Sequence, residues 1–413
     1  MELLPHLFRT EYRKIIAVLS RHFGLDQLTL AEDIASETFL TAAETWGLKG
    51  LPENPVAWLY TVAKNKARDQ IRRQLVFQQK IRAAIASDEK LLPQTDIDLS
   101  DENIQDSQLQ MMFAIADPIL AVESQIALML RILCGFGIEE IADAFLTSRE
   151  TIHKRLTRAK EKIRAARIKI NFPTGEQIGQ RSEAVLLCLY LLFNEGYYSS
   201  ARNTVLRKDF CMEAMRLTLI LIENEKTNSS RAEALFALMC FHASRFDART
   251  DEQGEIVRYD DQDVSLWNEE LILKGHYYLN LASRGNELSR YHLEAAIAYW
   301  HTVKNDPVEK WDNILQLYNQ LLCMEYSSVR ALNRTYAIAK TAGKPIAIQE
   351  AEKLGLDENH LYHVLLGYLY TDINSSKAIE HLYKAQSLAK TDRERILIGR
   401  DLDKIRRAVG GEI

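Results

Sequence analysis

The chain has 413 residues, more than one hydrophobic core usually serves, so two to four domains are expected. Hydrophobic residues make up 47% of it and Pro only 8 positions, which permits long helices and favours an all-α fold. No stretch approaches 18 uninterrupted apolar residues and no signal-peptide pattern is present, so we expect a cytoplasmic protein without a membrane partner. Five scattered cysteines without a C-x-x-C pair argue against a disulfide framework and against zinc.

The net charge of −5 conceals a strong segregation of charge along the chain. Residues 58–82 carry seven basic side chains against one acidic, and residues 147–169 carry nine against two. Between these blocks, residues 88–106 carry seven acidic side chains against one Lys. Because the basic charge is concentrated in two blocks, the acidic total does not exclude a nucleic-acid partner.

Apolar residues recur at helical spacing through the first 168 residues. The predicted helices cover 5–22, 28–46, 53–82, 107–117, 120–135, 138–145 and 149–168. In the second helix, Asp33 and Glu37 lie one turn apart beside apolar residues. Such an acidic and apolar stripe suits docking on a basic partner helix.

The third predicted helix is basic and follows a Pro-containing turn, in the segment LPENPVAWLYTVAKNKARDQIRRQ (51–74). Its polar stripe, at steps of three to four residues, consists of Lys64, Asn65, Arg68 and Arg72. The side chains expected on its inner side are Ala57, Tyr60, Ala67 and Ile71. Trp58 stands beside the cations, where it can stack on unpaired bases or can simply belong to the core.

Two boundaries are predicted from composition. Residues 83–106 include Pro93 and the segment TDIDLSDEN and have few large apolar side chains, which predicts an acidic flexible linker. The segment INFPTGEQIG (170–179) is expected to end the last basic helix, because it contains Pro173 and Gly175.

The segment GIEEIADAFLTSRETIHKRLTRAKEKI (137–163) predicts two helices joined by the turn LTSR, with Ser148 as N-cap of the second. One face of that second helix is apolar and consists of Ile152, Leu156, Ala159 and Ile163. The other face carries Thr151, Lys154, Arg155 and Arg158, with Arg149 at the start of the helix and Lys162 further along. A helix held by its apolar back can place such a front in a major groove; the alternative is a solvated basic face on an ordinary helix pair. Leu146 occupies a turn position where helix-turn-helix proteins often place Gly.

The residues after about 180 are mostly helical in pattern. The segment LYHVLLGYLYTDINSSKAIEHLYKAQSLAK (361–390) has the spacing of a tetratricopeptide helix pair, and 311–340 is a degenerate candidate copy. We therefore predict a helical, repeat-like domain. The acidic segment DARTDEQGEIVRYDDQDVSLW (247–267) could bind a cation, imitate nucleic acid against a basic face, or form a plain surface loop or hairpin.

Together these segments resemble an extracytoplasmic-function (ECF) sigma factor of bacterial RNA polymerase. LAEDIASETFLTAAETW is similar to sigma region 2.2, which grips the β′ clamp helices of the polymerase, and NPVAWLYTVAKNKARDQIRR is similar to regions 2.3 and 2.4, which open and read the −10 element. GIEEIADAFLTSRETIHKRLTRAKEKIR is similar to region 4.2, which reads the −35 element. The remainder resembles the tetratricopeptide-like C-terminal extension of one ECF subgroup.

The resemblance implies an all-α protein with a sigma region 2 bundle (1–82), the acidic linker (83–106), a region 4 helix-turn-helix domain (107–169) and a regulatory extension (180–405). The residues implied for core polymerase binding are Glu32, Asp33, Glu37 and Phe39. Those implied for the −10 element are Trp58, Lys64, Asn65, Arg68 and Arg72. Those implied for the −35 element are Arg149, Thr151, Lys154, Arg155 and Arg158.

The implied partners are promoter DNA and the polymerase core, through its β′ clamp helices and β flap, with further regulatory contacts through 180–405. The resemblance implies no catalysis and no cofactor, and no metal site is expected. The alternative is a stand-alone helix-turn-helix regulator with a helical repeat domain. Such a regulator would need residues 137–163 but has no use for the 28–74 block, so the presence of both favours a sigma factor. An enzymatic extension is disfavoured because no Gly-rich phosphate loop, G-x-S-x-G or H-E-x-x-H motif occurs.

Overall fold

The computed structural model describes most of the chain as helices joined by turns. The described residues are 3–83, 97–145, 147–172, 175–198, 204–249, 251, 257–303, 307–389 and 391–410. Within these ranges there is no β-strand, and the all-α prediction is confirmed. The chain divides into two compact units, Met1–Asn228 and Ser229–Ile413.

The first unit contains nine described helices, of which the first three form a bundle. Its described helices are α1 (Leu3–Phe23), α2 (Leu28–Lys49), α3 (Pro55–Ala83), α4 (Asp101–Ile115), α5 (Val122–Leu128), α6 (Ile138–Ala144), α7 (Arg149–Ala166), α8 (Gly175–Tyr198) and α9 (Thr204–Glu223). A π-helical turn, Met129–Leu133, continues α5.

Helices α1, α2 and α3 pack on one another around apolar side chains at helical spacing. Among the residues of α3 whose burial the structure describes, the buried ones are Leu59, Ala63 and Ala67, four residues apart. The predicted inner side was therefore only partly right: Ala57 is exposed, because the buried stripe is centred two residues later. Tyr60 is half-buried and donates a 2.5 Å hydrogen bond to Glu11 Oε2, which ties α3 to α1.

Part of the predicted linker is helical. Residues 84–96 lie outside the described ranges, whereas residues 101–106 form the first turns of α4. Ser100 is the N-cap, its side chain accepting from the Asn103 amide, and Asp101 and Glu102 in the first turn favour the helix dipole. Some of the acidic residues that predicted a linker here, Asp101 and Glu102, thus belong to the N-terminus of a helix.

Helices α8 and α9 belong to the first unit, although a domain boundary was predicted at residues 170–179. Helix α8 begins within that segment and α9 begins after it. They pack on each other and on α4, and α8 also packs on α5. Phe210 of α9 meets the buried Phe136 edge-on at 4.3 Å between ring centroids, and the buried Cys188 thiol of α8 donates to Gln125 Oε1 at 3.1 Å. The compact boundary therefore lies near residue 228, beyond the predicted start of the extension at 180.

The second unit is a succession of helices, packed on the next helix in sequence or on the next but one. Its described helices are α10 (Ser230–Ala243), α11 (Glu269–Ala282), α12 (Arg290–Trp300), α13 (Val308–Met324), α14 (Ser328–Thr341), α15 (Lys344–Glu352), α16 (His360–Tyr370), α17 (Ser375–Leu388) and α18 (Asp392–Gly410). This arrangement matches the predicted repeat-like domain. The predicted helix pair at 361–390 is α16 with α17, and the degenerate copy at 311–340 is α13 with α14.

Gly367 permits the close approach of α16 to α17. A Cβ at this position would lie 2.7 Å from two carbon atoms of Leu382, which is itself buried. We expect Gly367→Ala to lower the free energy of unfolding by about 1–3 kcal/mol through overpacking, measured as a lower melting temperature. The matched control is Gly47→Ala in α2, where nothing lies within 4 Å and Ala should be neutral or stabilising. An unchanged Tm for Gly367→Ala would contradict the tight packing.

The segment 257–268, which contains two short 3-10 turns and precedes α11, contacts helices distant in sequence. The Tyr259 hydroxyl donates to the His301 carbonyl at 3.1 Å and accepts from Lys310 Nζ at 3.1 Å. Arg258 forms an ion pair with Asp401 of α18, and the Tyr336 hydroxyl of α14 lies 3.5 Å from Asp260 Oδ2. Residues 257–267, the later part of the acidic segment noted in the sequence, are thus held by Arg258, Tyr259 and Asp260 against α13, α14 and α18.

Acid should destabilise the second unit through His242. Burial, with the nearby Arg245, Arg249 and His301, holds the pKa of His242 well below its ordinary value of 6.5. Below pH ~6.5, His242 is therefore protonated in the unfolded chain but stays neutral in the folded chain. The free energy of unfolding consequently decreases as the pH is lowered. We expect the melting temperature to decline from pH 7.5 to 5.5 and His242→Gln to show a shallower decline. An equally steep decline in that variant would assign the effect to other groups.

Candidate DNA and polymerase interface

Helix α7 has the predicted capped and two-faced form. The Ser148 side chain accepts from the Thr151 amide at 3.1 Å, and Glu150 lies in the first turn near the positive end of the helix dipole. All four predicted apolar positions are buried: Ile152, Leu156, Ala159 and Ile163. These side chains hold α7 against α5 and α6, so the opposite face is left to solvent.

The five residues predicted for the −35 element all lie at the surface of α7. Thr151, Lys154 and Arg158 are exposed. Arg149 pairs with Glu139 at 2.6 Å, and its side chain is 70% exposed. Arg155 is half-buried, because its guanidinium lies over the Phe145 ring at 5.6 Å. The face is thus cationic, with Arg155 oriented by an aromatic ring; Leu146, in the turn, lies outside the described residues.

The residues predicted for the −10 element follow one side of α3. Asn65, Arg68 and Arg72 are exposed, whereas Lys64 is half-buried. Trp58 is also half-buried and meets Trp46 edge-on at 5.3 Å between centroids. The Trp58 indole therefore packs against Trp46 at the start of the basic stripe and remains partly accessible to solvent.

The residues predicted for core polymerase binding separate into two pairs on α2. Asp33 and Glu37 are exposed, and Glu37 reaches Lys66 Nζ at 3.3 Å. Phe39 is only 4% exposed and packs in the bundle with Phe8 and Tyr12, and Glu32 is 9% exposed. Only the first pair offers its side chains to a partner in this structure.

Membrane-spanning helices and metal-binding clusters are both absent from the described ranges. None of the helices in them combines the length and apolar character that a bilayer crossing requires. Nor do those ranges bring together three or more His, Cys, Asp or Glu side chains in a way that could hold a metal ion.

Comparison with known proteins agrees with the geometry of both basic helices. Residues 7–75 match Sigma-70 region 2, residues 120–163 match Sigma-70 region 4, and residues 181–283 match a family of unknown function (DUF6596). The uncharacterized protein R00370 of Rhizobium meliloti (strain 1021) is 32% identical over 401 residues, covering 94% of this chain and 93% of that protein. The chain belongs to the ECF-type sigma factors with a C-terminal extension. No solved structure matches it.

In this sigma factor, region 2 corresponds to α1–α3 and region 4 to α5–α7, and the protein directs promoter recognition. The match to the family of unknown function runs from α8 to just after α11. The extension therefore begins, in family terms, with the two helices that pack on region 4.

Regions 2 and 4 are in direct contact, which sequence reasoning missed. Lys160 of α7 lies 2.5 Å from Glu32 Oε2, and Arg131 Nε lies 3.7 Å from Glu32 Oε1. Lys160 is 128 positions away from Glu32, and no local pattern couples them. The sequence shows the opposite charges of Glu32 and Lys160, but it does not show that the packing of the unit brings these two side chains together.

Proposed function

We propose that this sigma factor binds RNA polymerase core through Asp33 and Glu37 of region 2, on the β′ clamp helices, and through region 4 on the β flap. Lys64, Asn65, Arg68 and Arg72 then hold the −10 element, with Trp58 stacking on an unpaired base. The exposed face of α7 reads the −35 element. The protein supplies recognition and strand opening without a catalytic step of its own.

The observation that carries the proposal is the pairing of two basic surfaces in one chain. Helix α7 offers hydroxyl and cationic side chains on the face opposite its buried residues, as a major-groove reader requires. Helix α3 offers a second cationic stripe, with an aromatic ring at its start. A stand-alone regulator uses the first surface and has no need of the second.

The deciding experiment is in vitro transcription with purified bacterial core polymerase on a genomic promoter library. Full-length protein should yield transcripts from a small set of promoters, and permanganate footprinting should show opened −10 regions. Binding to duplex DNA without binding to core or producing transcripts would support the stand-alone regulator instead.

The second unit, with the rest of the 180–405 extension, modulates this activity. Its helices pack on sequence neighbours, an architecture that presents extended binding surfaces. A full-length protein and a 1–228 form should therefore initiate at the same promoters with different yields. Equal yields from both forms under every condition would argue against a regulatory role for residues 229–413.

A further inference from the structure

One arginine of the second unit is buried without a counter-charge among the described residues. Arg245, just after α10, is only 7% exposed, its Nε makes no hydrogen bond, and no described carboxylate forms an ion pair with it. Its guanidinium lies over the Tyr259 ring, with Cζ 5.4 Å from the centroid. Burying an arginine costs more free energy than one aromatic face returns, so the cation–π contact alone does not account for Arg245.

A second buried donor without a partner lies beside it. Trp267 is 6% exposed, and its Nε1 makes no hydrogen bond. The Asn268 amide donates to the Ser244 carbonyl at 2.8 Å, which brings together Trp267 and Arg245, the residues next to these two in sequence. The Trp267 ring also lies 6.3 Å from the Tyr259 ring between centroids. Two unpaired donors therefore meet at one ring, although buried polar groups are normally hydrogen-bonded.

The surroundings of these two donors are positively charged. Lys310 of α13 is 2% exposed, and its Nζ lies 5.4 Å from the centroid of the same Tyr259 ring. His301 meets that ring edge-on at 5.1 Å between centroids. Burial, and after it the charge of Arg245, holds the pKa of His242 well below its ordinary value. The local field therefore favours a negatively charged group.

The acidic side chains of the segment 257–268 face other groups. Their partners are Tyr336 for Asp260, Lys404 for Asp261 and Ser265 for Asp263. All three carboxylates are exposed, whereas the Arg245 guanidinium is buried. The described part of the segment thus brings acidic residues to the surface and leaves the positive charge beneath them uncompensated.

We propose that Arg245 and Trp267 form an anion site, which binds the carboxylate or phosphate group of a small organic molecule. A guanidinium can donate two parallel N–H bonds to two oxygens of such a group, and the indole N–H supplies another. Tyr259 and His301 are half-buried, so the anion site lies just below the surface, and their rings suit the organic part of the ligand. The acidic composition that suggested a cation ligand in this segment thus borders a site of the opposite preference.

An anion bound here would hold the segment 257–268 in place. Tyr259, which contacts Arg245, is also bonded to Lys310 and to the His301 carbonyl, so the ligand joins the network that reaches α13. Only the folded protein offers this site, and binding therefore stabilises it. At ten times the Kd, the melting temperature should rise by about 3–6 °C.

The test is a titration of full-length protein, labelled with ¹⁵N in its indoles, with inorganic phosphate and separately with acetate. Chloride keeps the ionic strength constant. The Trp267 indole signal, identified by its loss in Trp267→Phe, should shift as Nε1–H donates to the anion. The Trp46 signal is the internal control and should not move, because that indole is also unpartnered but lies in region 2. Tighter binding of phosphate would indicate a phosphorylated ligand, and tighter binding of acetate a carboxylic acid.

Arg245→Met removes the charge and keeps the length of the side chain. It should weaken anion binding by at least ~30-fold. The melting temperature without anion should not fall, because an uncompensated buried charge is removed. Arg245→Lys keeps the charge but loses the planar donor pair, so it should bind the anion less tightly than wild type. The matched control is Arg284→Met, the same change at an exposed position after α11, which should leave affinity and melting temperature unchanged.

A wild-type Trp267 signal that responds to neither anion would overturn the proposal, and this outcome needs no variant. Wild-type affinity in Arg245→Met, together with a lower melting temperature, would likewise overturn it and give Arg245 a purely structural role. The titration involves neither polymerase nor promoter DNA. Its outcome is therefore independent of the proposed sigma function, which the transcription experiment tests.

Discussion

Replacing Arg155 and Arg158 by Ala should lower the affinity of the protein for its promoter duplex by at least ~30-fold. Each lost contact to a base edge is worth about 1–3 kcal/mol, and the two residues lie on the same exposed side of α7. Part of the cost at Arg155 is structural, because the guanidinium also lies over Phe145. The cation–π contact accounts for only about 0.5–1 kcal/mol of folding free energy at an exposed site.

The control that separates specific base contacts from general electrostatic attraction is Arg164→Ala, which removes one positive charge from the same helix. Arg164 lies roughly 130° around α7 from the proposed DNA face, at 3.6 residues per turn. Affinities measured by fluorescence anisotropy over a range of salt should place this control close to wild type. Equal weakening by the control and the double variant would mean that α7 contributes only unspecific charge.

Removing α8 and α9 should destabilise the fold of region 4 far more than removing the second unit should. A 1–172 form loses the ring that covers Phe136, the Cys188 contact of Gln125 and the ion-pair partner of Arg13. Burial of one Phe side chain is worth about 1.5–3 kcal/mol, and a whole domain is stable by only about 5–15 kcal/mol. We expect the 1–172 form to aggregate or melt without a sharp transition, and the 1–228 form to melt cooperatively.

Circular dichroism melts and size-exclusion chromatography separate these outcomes. The 1–228 form is the control, because it ends at the boundary between the compact units. A sharp transition of the 1–172 form at the temperature of the 1–228 form would show that region 4 does not depend on α8 and α9.

Local features of the fold were predictable because neighbouring residues determine them. The N-cap at Ser148 and the four buried positions of α7 follow from short-range spacing, and the structure confirms both. At α3 the same reasoning misplaced Ala57, since Ala fits either side of a helix and gives little information about which face is buried. At α4 the acidic start was taken for linker, although acidic residues also favour a helix N-terminus.

The contacts between distant segments could not be predicted from a single sequence. Arg216 is half-buried and donates to Gln108 and to the Leu133 carbonyl, each more than 80 residues away from it in sequence, and burial lowers its pKa. Nothing near Arg216 in the sequence distinguishes it from a solvated arginine. The same holds for Glu32, which lies in an acidic stripe whose other members are exposed.

The segment 257–268 has a mechanical consequence for the second unit. A row of helices that touch only their neighbours can come apart one helix at a time from either end. Here Arg258 is tied to α18, while Tyr259 is tied to α13 and to the residue that follows α12. The last helix and the middle of the row are therefore both bonded to one segment, and we expect this segment to make the unit unfold more cooperatively than contacts between neighbouring helices alone would.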